Sequence, residues 1–189
     1  MKKTVLVLVL TVILAVAAFA DHPSGWGIGI LGSFGGGWAS GSTVGGGAAL
    51  SLKAPQLPVF WGLNLNFGSG YLGFGVTGDY YFIDRKLVPE VGLNWYVGFG
   101  GWLSFWSYSY NKNKDNAYSY AHIAAGARLP IGLSWQPLSF LEIFLDIAPS
   151  LGIGFDTKAD YKSGGEAHSG GIHFPAGGWP VELGIRLWL

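Results

Sequence analysis

The stretch Glu182 to Leu189 reads ELGIRLWL. In an extended chain Leu183, Ile185, Leu187 and Leu189 share one face, and Glu182, Gly184, Arg186 and Trp188 share the other. Side chains of a strand alternate with a period of two, so this pattern predicts a strand with a different environment on each side. Soluble chains usually fray in polar residues at a terminus. The expectation here is a last strand tied into a sheet.

The same alternation recurs along the chain. Trp26, Ile28, Ile30 and Phe34 begin it, followed by pieces near 43–53, 58–67 and 71–82. Longer runs follow at 88–105, 118–135, 140–155 and 172–189, which makes eight. No stretch beyond residue 20 keeps a helical apolar stripe, because Gly interrupts nearly every candidate. The faces opposite the apolar ones carry Gly, Ser, Asn and Tyr together with Asp79, Asn94, Arg128, Glu142, Asp146, Glu182 and Arg186. A soluble sandwich would carry Lys and Glu on its polar face in larger number. Few charges and many glycines suit a narrow, crowded interior, with lipid on the apolar side. A sheet in hydrocarbon must close, since an open edge leaves backbone groups unpaired. The pattern therefore predicts an all-β fold: an eight-stranded antiparallel up-and-down transmembrane β-barrel.

Composition agrees with export to a membrane. The chain has 189 residues, 32 Gly, no Cys and 12% charged side chains, and half of it is hydrophobic. Lys2 and Lys3 precede an apolar run from Val5 to Ala18, broken by Thr11, and Ala18-Phe19-Ala20 fits a small-x-small cleavage site. The expected organisation is a signal peptide over 1–20, cleaved after Ala20, and an outer-membrane barrel domain over 21–189. Without Lys2 and Lys3 the chain holds nine basic and eleven acidic side chains, a formal charge of −2. That balance gives no reason to expect nucleic acid as a partner.

Connection lengths set the expected orientation. With both termini on the periplasmic side, the turns at 54–57, 83–87 and 135–139 fall inside and are short. The connections at 35–42, 68–70, 106–117 and 156–171 fall outside, and all but the second are longer or polar. Aromatic residues gather at strand ends, as amphipathic rings do at a membrane boundary. Trp26, Trp61, Tyr80, Phe82, Trp135 and Phe140 would mark the inner boundary, and Phe34, Phe67, Phe105, Trp106 and Phe155 the outer one.

ELGIRLWL also resembles the C-terminal assembly signal of bacterial outer-membrane barrels, with Glu182, Gly184, Leu187 and Leu189 at its positions and Leu189 where Phe is usual. More narrowly, ARLPIGLSWQPLSFLEIFLDIAPSLGIGF, from Ala127 to Phe155, resembles a hairpin of small spirochaetal outer-membrane barrels of unassigned function, which share the eight-stranded OmpA-like architecture. The resemblance implies the fold, the outer membrane, its lipid and the barrel assembly machinery. It implies no catalytic residue.

Charges inside a narrow lumen must pair or meet water. A turn near Gln136 and Pro137 would set Arg128 across from Glu142 and Asp146, with Glu182 and Arg186 one strand further round and Asp79 on the same inner face. These six residues are expected to form an ion-pair network that blocks the lumen; the alternative is an ion pathway or gate. For catalysis, His122 lacks an acid in its own strand, and the His-Ser pair of EAHSG, Glu166 to Gly170, sits in a Gly-rich loop. His168 and His173 read as solvated loop residues rather than metal ligands. GSFGGGW and STVGGGAAL lack the Lys-Ser/Thr pair of a nucleotide loop. The expectation is thus a protein with no catalytic residue, metal or cofactor, and a structural or surface-interaction role. Its loops 106–117 and 156–171 would meet an extracellular ligand or host protein. A small channel for ions or polar solutes is the alternative, and a lipid-modifying enzyme the third reading.

Overall fold

The structure is a computed structural model, and it describes residues 22–37, 46–68, 71–111 and 117–189. The predicted signal peptide, the centre of the first loop and the tip of 106–117 lie outside the described residues. Four strands open the chain: β1 (Gly27–Gly37), β2 (Gly46–Lys53), β3 (Phe60–Gly68) and β4 (Tyr71–Val88). They are followed by β5 (Leu93–Asn111), β6 (Ala117–Arg128), β7 (Ile131–Leu138), β8 (Leu141–Ile147) and β9 (Ser150–Asp156). A small hairpin, β10 (Ala159–Asp160) with β11 (Glu166–His168), precedes the last strand, β12 (Gly171–Trp188).

Each barrel strand pairs antiparallel with its neighbours, and β1 closes the ring on β12 from Gly27 opposite Trp188 to Gly37 opposite Gly178. β6 and β7 are one span interrupted at Leu129 and Pro130, and β8 and β9 are one span interrupted at Ala148 and Pro149. The pairs Arg128 with Ser150 and Ile131 with Ile147 keep one register across both gaps. Proline has no N–H to give the ladder. The neighbouring amides bridge the break, Leu129 donating to the Pro149 carbonyl at 2.9 Å and Gly98 to that of Pro130 at 2.8 Å. Counted this way the ring has eight spans, as the alternation predicts.

Burial follows that alternation. Leu183, Ile185 and Leu187 are about half exposed, whereas Glu182, Arg186 and Trp188 are buried. The same contrast holds for Leu145 and Ile147 against Glu142 and Asp146. Large apolar side chains thus cover the outside of the barrel, and polar groups fill it together with aromatic rings such as Phe60, Tyr96 and Phe144. The glycines of the inner face make room: a Cβ on Gly184 would collide with the ring of Phe144, and one on Gly132 with Tyr96 and Asp146.

Several boundaries differ from expectation. Residues 83–87 continue β4, and the turn falls on Pro89 to Gly92, where Gly92 adopts φ 70° and donates its amide to the Pro89 carbonyl at 3.2 Å. Proline starts that turn because it cannot extend the ladder. β5 and β6 pair out to Asn111 and Ala117, so most of the loop expected at 106–117 is ribbon. The loop at 156–171 carries β10 and β11. Trp106 does not mark the outer boundary; it points inward, is buried, and stacks on His122 at 5.1 Å between ring centres. Tyr80 is also buried, lying 5.5 Å from the ring of Phe99.

One irregularity has consequences for the lumen. Along β4 the register shifts between Tyr81 and Ile83, leaving Phe82 as the extra residue of a bulge. A bulge resets which side chains face inward. Beyond it the even-numbered Asp84 is buried, while Phe82 stays outside.

Candidate functional site

The inner face of the barrel is the candidate site, and its charges form separate clusters along the lumen. At the end that carries both described termini, Arg186 of β12 donates to Glu142 of β8 at 2.7 Å and to the Ser51 hydroxyl of β2 at 2.9 Å. Trp188 donates its indole N–H to the same carboxylate at 2.8 Å. The guanidinium lies over the rings of Phe144 and Phe60, at 4.6 and 4.7 Å. Arg186 and Glu142 stand opposite each other in the β12–β8 register, which is why the contact is direct.

Further along the lumen, Arg128 grips Glu182 through two parallel bonds of 2.9 and 2.7 Å, while its Nε lies 3.1 Å from Asp79. This corrects the expected partners, Glu142 and Asp146. In the β6–β9 register Arg128 stands opposite Ser150, beyond the proline break, so both expected carboxylates lie on the far side of that break. Its side chain crosses the lumen instead, to carboxylates on β12 and β4. Asp146 accepts a 2.7 Å bond from the Tyr96 hydroxyl, and the Tyr96 and Tyr81 rings stack at 4.3 Å. The six residues of the expected network are all buried, but they form two arginine-centred clusters and a Tyr–Asp contact rather than one chain.

The sequence reading missed His22. Lying before β1, outside the spanning strands, it folds back under the barrel, where its two ring nitrogens face two carboxylates, Nδ1 at Asp84 and Nε2 at Glu142, the latter 2.9 Å away. Its backbone amide also donates to Asp84 at 2.9 Å. Burial alone would lower the imidazole pKa. The Glu142 charge and the hydrogen bonds to Asp84 and Glu142 outweigh it, raising the pKa from 6.5 to about 9. No local signal marks His22, because its partners come from β4 and β8 and one depends on the bulge.

Above Arg128 lies a cavity of about 70 Å³, lined among others by Asn64, Trp102, Ser104, Arg128 and Glu182. Asn64 Oδ1, Trp102 Nε1 and Ser104 Oγ have no hydrogen-bond partner among the described residues. A space of that size with three orphaned polar atoms on its wall suits a few water molecules.

At the opposite end three histidines meet one carboxylate. His122 Nδ1 contacts one oxygen of Asp156, and His173 and His168 approach the other through Nε2, at 2.6 and 3.3 Å. The acid missing from the strand of His122 is therefore supplied by β9. His168 is not simply solvated, since its ring stacks on Tyr120 at 4.1 Å. Among the described residues no group of three or more such side chains is placed to hold a metal ion. The residues of the expected assembly signal lie in the closing strand or just past it: Gly184 and Leu187 pair with Leu31 and Ile28 of β1, Glu182 holds Arg128, and Leu189, one residue beyond β12, exchanges backbone bonds with Trp26 at 2.8 and 3.1 Å.

Residues 56–178 match a family model described as protein of unknown function (DUF3996). No curated protein matches the chain. Among solved structures, the chain is similar to a major outer membrane protein from Thermus thermophilus, with 16% identity, a TM-score of 0.53, and coverage of 87% of this chain and 98% of that one. At that identity the likeness concerns the fold, an outer-membrane β-barrel.

Proposed function

This chain belongs to the DUF3996 family of proteins of unknown function, and we propose that it is an integral outer-membrane barrel with a closed lumen and a structural or surface-interaction role. The observation that carries this reading is a pair of buried arginine locks at two levels of the lumen: Arg128 of β6 reaches across to Glu182 of β12 and Asp79 of β4, and Arg186 of β12 holds Glu142 of the neighbouring β8 and Ser51 of β2. Opening a continuous water path would break charge pairs that are poorly solvated, and such pairs are costly to separate. The apolar outer face supports residence in lipid, and the fold likeness supports the outer membrane as that lipid. A leader over 1–20, cleaved after Ala20, would bring the chain to the assembly machinery. The narrower assignment is to small spirochaetal-type barrels of OmpA-like plan.

External contacts would be made by the β5–β6 ribbon and the loop holding β10 and β11. They lie together: Tyr118 meets Tyr161 edge-on at 5.4 Å, and Lys162 donates its amide to the Ala117 carbonyl at 3.3 Å. Tyrosines fixed by such packing give contact area at little entropic cost, which suits a ligand or host protein. We assign no catalytic residue. In planar bilayers the purified protein should conduct far less than a general porin; a large, steady open-channel current would overturn the closed-lumen reading and put a transport role in its place.

A further inference from the structure

The floor of the lumen is built around a positive charge. Among the described residues, five carboxylates are buried in the barrel below that cavity: Asp79, Asp84, Glu142, Asp146 and Glu182. The buried cations of the strands are Arg128, Arg186 and, at the rim, Lys53, whose ammonium donates to the Ala54 carbonyl at 2.8 Å. Asp84 takes neither arginine; its Oδ2 meets His22, and its Oδ1 has no hydrogen-bond partner among the described residues. Around the His22 ring stand Phe60, Tyr81, Tyr96 and Trp188, with centres 5.1, 5.6, 5.8 and 6.2 Å away. Two carboxylates at opposite edges, within a collar of aromatic side chains that stand tilted or edge-on to the imidazole, suit a flat, delocalised cation. Because both ring nitrogens face carboxylate oxygens, both are placed to donate, which only the imidazolium can do.

We propose that this floor is a binding site for planar organic monocations, imidazolium or guanidinium, and that the chain occupies it with its own His22, so that the segment before β1 is a tethered plug. Four strands build the site, through Phe60 of β3, Tyr81 and Asp84 of β4, Tyr96 of β5 and Glu142 of β8, and Trp188 of β12 completes it. None of these groups belongs to the segment before β1. The proposal does not depend on whether the Arg128 lock closes the lumen, because its test reads binding and not current.

The test uses the full chain folded in detergent micelles, with thermal unfolding followed by fluorescence. His22→Gly should lower the unfolding midpoint, and imidazole should restore it saturably. At about 100 times its dissociation constant the rise should be roughly 5–10 °C. The wild-type protein should not respond, and neither should His22→Gly combined with Asp84→Asn. A folded His22→Gly protein whose midpoint imidazole leaves unchanged would overturn the proposal, as would an equal rise in the wild type. A second measurement needs no variant. In the wild-type protein labelled with 15N-histidine, the His22 ring should show both nitrogens protonated at pH 7, and a bare ring nitrogen there would refute the cationic occupant.

Discussion

Replacing Arg128 with alanine should be among the most damaging single changes to this barrel. The guanidinium holds Glu182 through bonds of 2.9 and 2.7 Å and stands 3.1 Å from Asp79, and all three side chains are buried. Its loss leaves two carboxylates facing a common space with no cation between them. Breaking a buried ion pair by removing one partner costs about 3–5 kcal/mol. The adjoining 70 Å³ cavity, which Glu182 lines, lets water reach that carboxylate, which places the expected loss toward the lower end of that range. Guanidinium unfolding from detergent micelles, followed by tryptophan fluorescence, measures it, with Trp102 beside the cavity as one reporter. The partner is tested by double-mutant cycles. Arg128 and Glu182 should couple by roughly 1–3 kcal/mol, whereas Arg128 and Glu142 should add within about 0.5 kcal/mol. Combining Arg128→Met with Glu182→Gln and Asp79→Asn should recover most of the loss, since a matched set of neutral groups removes the unpaired charge. A loss below about 1 kcal/mol for Arg128→Ala, or a triple variant as unstable as the single one, would refute the reasoning from buried charge.

Four further outcomes are expected. Arg128→Ala should also raise single-channel conductance above that of the unmodified protein, because it removes the bulkiest group at the upper lock; unchanged current would mean that another constriction is limiting. Stability should fall as pH rises from 6.5 through about 9, because a folded-state pKa raised for His22 stabilises fully below the unfolded value and ceases to do so above the folded one. The shift corresponds to roughly 3 kcal/mol, and His22→Gln should abolish that part of the pH profile. Deleting Arg186 to Leu189 removes ladder pairs with β1 and the Trp188 bond to Glu142, and outer-membrane fractions should then lack the protein; normal levels there would contradict an assembly role for this segment. Cysteine at Gly164 should react with an impermeant maleimide on intact cells and cysteine at Lys86 should not, whereas the reverse labelling would invert the topology.

Much of the barrel was legible because alternation is a local property. Whether Leu183 or Glu182 faces the lumen depends on the backbone pleat and on which side is apolar, and both can be read within a few residues. The inward placement of Asp79, Arg128, Glu142, Asp146, Glu182 and Arg186 follows from that alone. Strand ends were less legible: 83–87 (IDRKL) barely alternates, and 106–111 (WSYSYN) alternates amphipathic rings with Ser, which does not by itself separate a ribbon from a loop.

Partner choice was another matter. Arg128 reaches Glu182 and Asp79 across the lumen because the stagger of the strands brings β12 and β4 to its level, and stagger is a property of the closed ring. Asp84 faces inward only because Phe82 is bulged, and His22 becomes an internal residue only when β4 and β8 present carboxylates on either side of its ring. Asp156 gathers three histidines that lie 34, 12 and 17 positions away along the chain. The sequence by itself determined which side chains are enclosed wherever the alternation runs unbroken, through a period of two that needs no distant information. Only the tertiary structure decided which of them meet, because contacts across a lumen depend on register, bulges and closure summed over all eight spans.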